Sequence, residues 1–139
     1  MDLARLKLDL GEFRDSVELY EKSLALTKKL KGPDHFETAI CLGLLGNAYF
    51  ARMMDYYGGS YPLAIAAYNA GPGNVNRWLR DNGDPRNGGI DFVTWIERIP
   101  IYETKNYVQR VIENAAVYEQ LHPDRAAYGR PRMAGDFLR

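Results

Sequence analysis

The side chains able to carry out thiol, imidazole or metal chemistry are few in this 139-residue sequence, and they are scattered. The one thiol is Cys41, and the two imidazoles are His35 and His122. One cysteine makes no internal disulfide, and distant histidines do not form a metal cluster. We therefore predict no metal site and no cofactor. Cys41 suits a small core position on an apolar helix, and both histidines suit ordinary surface positions.

Carboxylates are the remaining groups for acid–base chemistry, and most have a simpler explanation. Glu18, Glu21 and Glu37 fall on predicted helices, where charged residues normally form the solvated face. The eighteen acidic residues are balanced by eighteen basic ones, which gives a formal net charge of zero. Because a basic patch is the electrostatic mark of a nucleic-acid or anionic-membrane partner, we expect neither partner.

Targeting signals are not evident in the sequence. The apolar runs are far shorter than the ~20 residues of a membrane-spanning helix. The first thirty residues alternate charge with leucine and contain no apolar signal core. We therefore expect a cytoplasmic location. We also expect a monomer.

Helical periodicity organises the elements that must position these groups. No segment alternates with period two, so we predict an all-α fold of about six helices and no sheet. The first helix ends near Leu10, and the second runs from Phe13 to a stop at Lys31–Asp34. The third is capped by Asp34 and ends before Gly58, and shorter helices follow. The predicted bounds of the later helices are Asn74–Asp81, Phe92–Arg98 with Asp91 as N-cap, and Tyr102–Leu121, whose apolar side carries Tyr107, Val108, Val111, Ile112, Ala115 and Tyr118.

A repeat at an offset of 48 residues relates the second helix to the fourth. Gly11, Phe13, Ser16, Val17 and Tyr20 align with Gly59, Tyr61, Ala64, Ile65 and Tyr68. Self-similarity at a fixed period is typical of stacked helical hairpins. Separately, Val17, Tyr20 and Leu24 form an apolar stripe that must be buried, and we predict that it packs against a face formed by Ile40, Leu44 and Ala48.

Residues 1–50 carry the motifs Leu10-Gly11-Glu12-Phe13, Leu19-Tyr20-Glu21-Lys22-Ser23-Leu24-Ala25-Leu26, Lys31-Gly32-Pro33-Asp34-His35 and Leu45-Gly46-Asn47-Ala48-Tyr49. This segment resembles a tetratricopeptide repeat of the kind with a long loop. The resemblance covers little more than one repeat, whereas solenoids normally need about three. Another element must complete the core.

Residues 45–121 carry a second set of motifs: Tyr57-Gly58-Gly59-Ser60-Tyr61-Pro62-Leu63-Ala64, Ala67-Tyr68-Asn69-Ala70-Gly71-Pro72-Gly73, Trp95-Ile96-Glu97-Arg98-Ile99-Pro100 and Glu103-Thr104-Lys105-Asn106-Tyr107-Val108. They resemble the C-terminal half of the catalytic domain of soluble lytic transglycosylases, a family that has a lysozyme-like helical fold and is periplasmic. The resemblance implies action on peptidoglycan, with one glutamic acid serving as acid and then base while a 1,6-anhydro ring closes. That glutamate lies in a Glu-Ser segment followed by a Gly-Leu-Met-Gln segment, and neither occurs in this sequence. We therefore predict no catalytic residue.

The resemblance assigns a substrate-binding set by position: Tyr68, Asn69, Ala70, Gly71, Glu103 and Tyr107. Tyr68 has the alternative of a buried aromatic on the hairpin stripe, aligned with Tyr20, and Asn69 that of ending a helix. Glu103 stands in the first turn of a helix, where the dipole stabilises an ionised carboxylate by ~0.3–1 kcal/mol. A catalytic acid must instead be protonated, so Glu103 is a poor replacement.

The composition changes along the chain. Five of the six lysines lie in residues 1–31, and ten of the twelve arginines lie in residues 32–139. We interpret the sequence as a recombined or engineered chimera without activity, in which a hairpin (1–50) merges with a transglycosylase-like part (45–121) in one compact domain, followed by a loosely held tail (122–139). The alternatives are a protein that binds glycan fragments, or retains some cleavage, and a module that binds a peptide.

Overall fold

Seven α-helices and three short 3-10 turns form the secondary structure of residues 3–126 and 129–139, the part of the chain that the computed structural model describes. These residues contain no strand, so the predicted all-α fold is confirmed. The helices are α1 (Leu3–Asp9), α2 (Phe13–Lys31), α3 (Phe36–Tyr56), α4 (Tyr61–Ala70), α5 (Pro72–Asn82), α6 (Phe92–Glu97) and α7 (Tyr102–Leu121). The turns are Pro85–Asn87, Pro123–Arg125 and Ala134–Phe137.

Strong local signals explain why α2 and α7 have the predicted bounds. Helix α2 ends before Gly32, whose φ of 91° suits glycine, and α7 ends just before Pro123. The N-terminus of α3 differs from the prediction, because the Glu37 N–H donates to Nδ1 of His35 (3.1 Å) and the helix begins one residue after His35. His35, and not Asp34, occupies the capping position. Helix α5 begins at Pro72, two residues earlier than predicted, since proline is well suited to the first helical turn.

The chain divides into two compact units, Met1–Arg52 and Met53–Arg139. In the first unit, α1 packs on α2 and the shared core holds Ala4, Val17, Tyr20 and Ala48. Five partly buried residues pack against this core: Leu8, Leu19, Leu44, Leu45 and Tyr49. The predicted packing of Val17 and Tyr20 with the Ala48 face is therefore present.

Other apolar residues of the first unit are not where the periodicity places them. Ile40 is 55% exposed, so this end of the predicted face lies outside the core. Leu24 and Cys41 are only partly buried, and the sulfur of Cys41 lies 3.6 Å from Oγ1 of Thr27. The core of this unit is thus small and centred on the first two turns of α2.

The second unit is built around α4. Every residue from Pro62 to Ala67 is buried, so the helix is enclosed on all sides. Helices α5 and α7 both pack against it, and α6 packs against α7. Two buried indoles, Trp78 of α5 and Trp95 of α6, have ring centroids 6.5 Å apart.

The buried side of α7 differs from the predicted stripe. It consists of Thr104, Val108, Ile112, Ala116 and Glu119. Tyr118, placed on the apolar side by the periodicity, is instead 47% exposed. The buried row follows a strict four-residue spacing up to Ala116, and Glu119 extends it as a carboxylate.

Part of the tail packs against α7, whereas the sequence predicts a loosely held segment. Phe137 is only 4% exposed, and its ring centroid lies 5.4 Å from that of Tyr61. The backbone N–H of Arg132 donates to Oε2 of Glu119 (2.7 Å), and Nε of Arg132 donates to Oε1 of Glu119 (2.9 Å). Nη1 of Arg132 donates to the Tyr61 hydroxyl (3.0 Å). Ala127 and Tyr128, which the same prediction includes, lie outside the described residues.

Over the described residues, none of the helices combines the length and apolar character that crossing a membrane requires.

Candidate functional site

The C-terminal end of α4 carries four of the six residues in the predicted substrate-binding set. Tyr68 and Asn69 are exposed in its last turn, and Ala70 is its last residue. Gly71 follows with a φ of 89°, a conformation that disfavours any side chain, and its N–H donates to the Ala67 carbonyl (2.8 Å). This glycine ends α4 and lets α5 begin at once, so the exposed pair stands at a sharp corner of the chain.

Helix α7 fixes the position of this corner. Oγ1 of the buried Thr104 donates to Oδ1 of Asn69 (2.6 Å). With its carbonyl oxygen held, the Asn69 carboxamide retains an NH₂ group with two donors on a residue that faces solvent. Asn69 therefore does more than end a helix, since its side chain links α4 to α7.

Tyr107, one turn after Glu103 on α7, is half-buried beside Tyr68. Burial raises the pKa of Tyr107, and the charge that Tyr68 would carry when ionised raises it further. The Tyr107 hydroxyl therefore stays protonated at neutral pH and can donate a hydrogen bond. Tyr68 is 40% exposed, so the alternative of a buried aromatic equivalent to Tyr20 is wrong for this residue.

Glu103 is exposed in the first turn of α7. It shares a face of the helix with Tyr107, because residues four apart are neighbours on a helix surface. Proteins usually make a carboxyl group a proton donor at neutral pH by burying it in an apolar pocket. The exposed position of Glu103 lacks that feature.

The most buried carboxylate of the unit is Glu119, which sequence reasoning missed. Its side chain is 9% exposed and forms an ion pair with Arg132. The hydrogen bonds from the Arg132 side chain and backbone hold the pKa of Glu119 below its usual value. This carboxylate is therefore kept ionised and anchors the tail. The signal that could have revealed it is a glutamate continuing the buried row of α7.

Together, the set presents one exposed aromatic ring, one positioned carboxamide, one protonated phenol and one exposed carboxylate. Aromatic faces and amide donors suit the apolar faces and hydroxyl groups of a sugar. Among the described residues, no three histidine, cysteine, aspartate or glutamate side chains lie close enough to hold a metal ion. The arrangement can bind a polar ligand, and its chemistry is that of hydrogen bonding and stacking.

Two family models match parts of the chain. Residues 1–56 match the tetratricopeptide repeat, and residues 35–88 match the transglycosylase SLT domain. Both predicted resemblances are confirmed. The two matches overlap over residues 35–56, a range that includes all of α3. Helix α3 thus satisfies the sequence patterns of both families.

Curated relatives support the second match. The soluble lytic murein transglycosylase of Salmonella typhimurium is 39% identical over 74 residues, which cover 53% of this chain and 11% of the relative. The enzyme of the same name from Escherichia coli K12 is 36% identical over 81 residues, 58% of this chain and 12% of the relative. A putative soluble lytic murein transglycosylase of Haemophilus influenzae is 35% identical over 78 residues, 56% of this chain and 12% of the relative.

The matched segments therefore span about an eighth of the length of these relatives or less. No solved structure is significantly similar to the chain.

Proposed function

We propose that this chain is a chimera of a tetratricopeptide-like hairpin and part of a transglycosylase domain, which binds glycan strands of murein without cleaving them. The exposed ring of Tyr68 carries the proposal. It is 40% exposed, whereas the aligned Tyr20 is 3% exposed, so part of the ring at this corner faces solvent. The relatives are named as murein transglycosylases, which makes murein the ligand to test first.

The support for binding is the joint placement of three groups. Tyr68 offers an aromatic face, Asn69 is oriented by Thr104, and Tyr107 keeps its proton. A ligand that stacks on the ring can accept hydrogen bonds from the carboxamide and the phenol. Pairs of aromatic rings gain roughly 0.5–1.5 kcal/mol beyond buried area, and we expect no more from a sugar stacked on one ring, so affinity for one glycan fragment should be modest.

The support for absent cleavage is the chemistry of the available acids. Glycoside cleavage needs a proton donor near the leaving oxygen. Glu103 is exposed, Glu119 is held ionised by Arg132, and no Glu-Ser pair occurs in the 139 residues. A tyrosine hydroxyl, with an ordinary pKa near 10, is too weak an acid at neutral pH.

Incubation with murein tests both halves of the proposal. The purified protein is mixed with insoluble murein, the bound fraction is measured after sedimentation, and soluble products are analysed by mass spectrometry. We expect binding that Tyr68→Ala weakens about two- to tenfold, and no 1,6-anhydromuramyl products. Release of such products by the parent, lost in Glu103→Gln, would show that Glu103 is the acid and that the chain is an enzyme.

One observation favours peptide binding by the first unit as a second candidate. Leu26, Leu30, Phe36 and Ile40 are each more than half exposed on α2 and α3. An apolar helix face of this kind can hold an amphipathic peptide. Selection from a displayed peptide library should then enrich sequences with apolar residues four apart, and Leu30→Glu should abolish the enrichment. A library that stays random after selection would remove this candidate.

Binding of murein and a cytoplasmic location are not compatible, because murein lies outside the cytoplasm. We propose that the protein acts as a monomer, which sedimentation velocity measures directly. Fractionation of the producing cell decides between the locations.

A further inference from the structure

A pocket separate from the Tyr68 corner lies at the other end of α4. It has a volume of about 560 Å³. The turn between α3 and α4 forms one wall, and the rest comes from Arg86, Phe92 and the last two residues of the chain. A volume of this size suits a small-molecule ligand.

The Ser60 side chain brings a hydroxyl group without a hydrogen-bond partner to this pocket. Ser60 is 2% exposed, lines the pocket, and its Oγ has no hydrogen-bond partner in the described part of the chain. It occupies the N-cap position of α4, yet its side chain makes no capping hydrogen bond. A buried hydroxyl without a partner costs free energy, and such a group in a native fold calls for an explanation such as a ligand.

The N-terminus of α4 makes this end of the pocket suitable for an anion. The ten-residue helix begins at Tyr61, and its dipole places partial positive charge beside Ser60. Backbone N–H groups of the first turn point in the same direction, apart from that of Pro62, which has none.

Two guanidinium groups add positive charge to the wall. Arg86 is held by Asp84, with Nε donating to Oδ1 (3.0 Å) and Nη2 to Oδ2 (2.7 Å). A guanidinium has five N–H donors, so Arg86 has others to offer while Asp84 fixes its orientation. The Arg139 guanidinium lies 5.7 Å from the Tyr61 ring centroid.

Apolar side chains complete the lining, namely those of Tyr57, Phe92 and Leu138. An inorganic anion would gain nothing from these surfaces, whereas a carboxylate attached to an apolar body would use both parts of the pocket. We propose that the pocket binds a small organic carboxylate, with the carboxylate accepting hydrogen bonds from Ser60 Oγ and Arg86. This proposal is independent of glycan binding, since it concerns other residues and another ligand chemistry.

Titration with a matched pair of ligands tests the assignment. N-acetyl-alanyl-alanine with a free carboxylate is compared with its C-terminal amide by NMR of the ¹⁵N-labelled full chain. We expect the acid to shift the backbone amides of Gly58, Gly59 and Ser60, and the amide ligand to leave them unmoved. Arg86→Gln should lower the affinity for the acid ligand at least about tenfold, because it removes a charge-assisted hydrogen bond. Arg110→Gln, an exposed arginine of α7 that does not line the pocket, is the matched control.

Ser60→Ala separates a ligand-binding role from a structural one. Removing a buried hydroxyl that has no partner should raise the melting temperature of the free protein and lower its affinity for the acid ligand. Equal binding of the acid and the amide, shifts elsewhere, or unchanged affinity in both Ser60→Ala and Arg86→Gln would overturn the proposal. Displacement of the acid by an equal concentration of inorganic phosphate would overturn the organic part of the assignment.

Discussion

Residues 11–20 and 59–68 follow one sequence pattern, and their environments agree at every aligned position except the last. Both glycines have positive φ, 79° and 88°. The next three aligned pairs match in burial: Phe13 with Tyr61, Ser16 with Ala64, and Val17 with Ile65. Tyr20, however, is 3% exposed and Tyr68 is 40% exposed. A shared local pattern therefore fixes the first turns of a helix without fixing what covers its later turns.

The difference follows from where each helix ends. Helix α2 continues for eleven residues beyond Tyr20, and Tyr20 shares a core with Ala48 of α3. Helix α4 ends two residues after Tyr68, and Gly71 turns the chain away into α5. The second tyrosine thus stands at a corner of the chain, which suits it for binding a ligand and not for building a core.

Truncating the two aligned tyrosines gives the largest expected contrast. Tyr20→Ala should lower the free energy of unfolding by about 3–5 kcal/mol, the usual cost of removing a buried aromatic ring. Tyr68→Ala should lower it by no more than about 1 kcal/mol, since the ring is partly exposed. Urea unfolding followed by circular dichroism measures both. Equal losses in the two variants would show that the environments are the same after all.

Replacing the aligned glycines should give equal and smaller losses. Gly11→Ala and Gly59→Ala each force a side chain into a left-handed conformation, at about 1–2 kcal/mol. No neighbour lies within 4 Å of the added Cβ at either position, so strain alone sets the loss.

Gly43→Ala is the control for these two glycines. It lies inside α3 without positive φ or nearby atoms, and alanine there should stabilise by up to about 1 kcal/mol. If Gly11→Ala and Gly59→Ala lowered the free energy of unfolding by different amounts in the same experiment, the two turns would not be equivalent.

The two units should also differ, more weakly, in their response to acid. The ion pair Arg14–Glu18 of α2 is highly exposed, whereas Arg132–Glu119 is mostly buried. Because the pKa of Glu119 is lowered in the folded state, its ionisation stabilises the fold above the ordinary value of 4.5. That contribution is lost as pH falls through the lowered pKa.

Glu119→Gln should therefore be less stable than the parent at pH 7, and the gap should narrow below about pH 4. Glu113→Gln changes an exposed glutamate of the same helix and should show no such trend. Thermal unfolding at a series of pH values measures the gap. A gap that is constant with pH would mean that the ion pair does not anchor the tail.

Much of the fold was readable from the sequence, for identifiable reasons. As predicted, α2 ends just before Gly32 and α7 ends shortly before Pro123. Asp91 caps α6, also as predicted, by accepting a hydrogen bond from the Thr94 N–H (2.9 Å). The docking of the tail was not readable, because the apolar residues among residues 129–139 are too few to form a helical or strand period. Phe137 packs against the ring of Tyr61, which is distant in the sequence, and lies beside the guanidinium of the nearby Arg132.

The candidate site was readable only in part. The resemblance gave the identity of Tyr68, Asn69 and Tyr107, but the repeat pointed to a buried Tyr68. The tie between Thr104 and Asn69 joins residues 35 positions apart and depends on how α4 packs on α7. The unused hydroxyl of Ser60 was invisible for the same reason, since its burial comes from tertiary packing.

An NMR titration with a soluble tetrasaccharide of N-acetylglucosamine tests the central claim most directly. We expect shifts confined to the backbone amides of residues 68–71 and 103–107, and their loss in Tyr68→Ala. Tyr118→Ala, which alters an exposed tyrosine farther along α7, should leave the shifts unchanged. Shifts centred on residues 13–31, or a response that survives Tyr68→Ala, would contradict the claim that the exposed tyrosine corner is the glycan-binding surface.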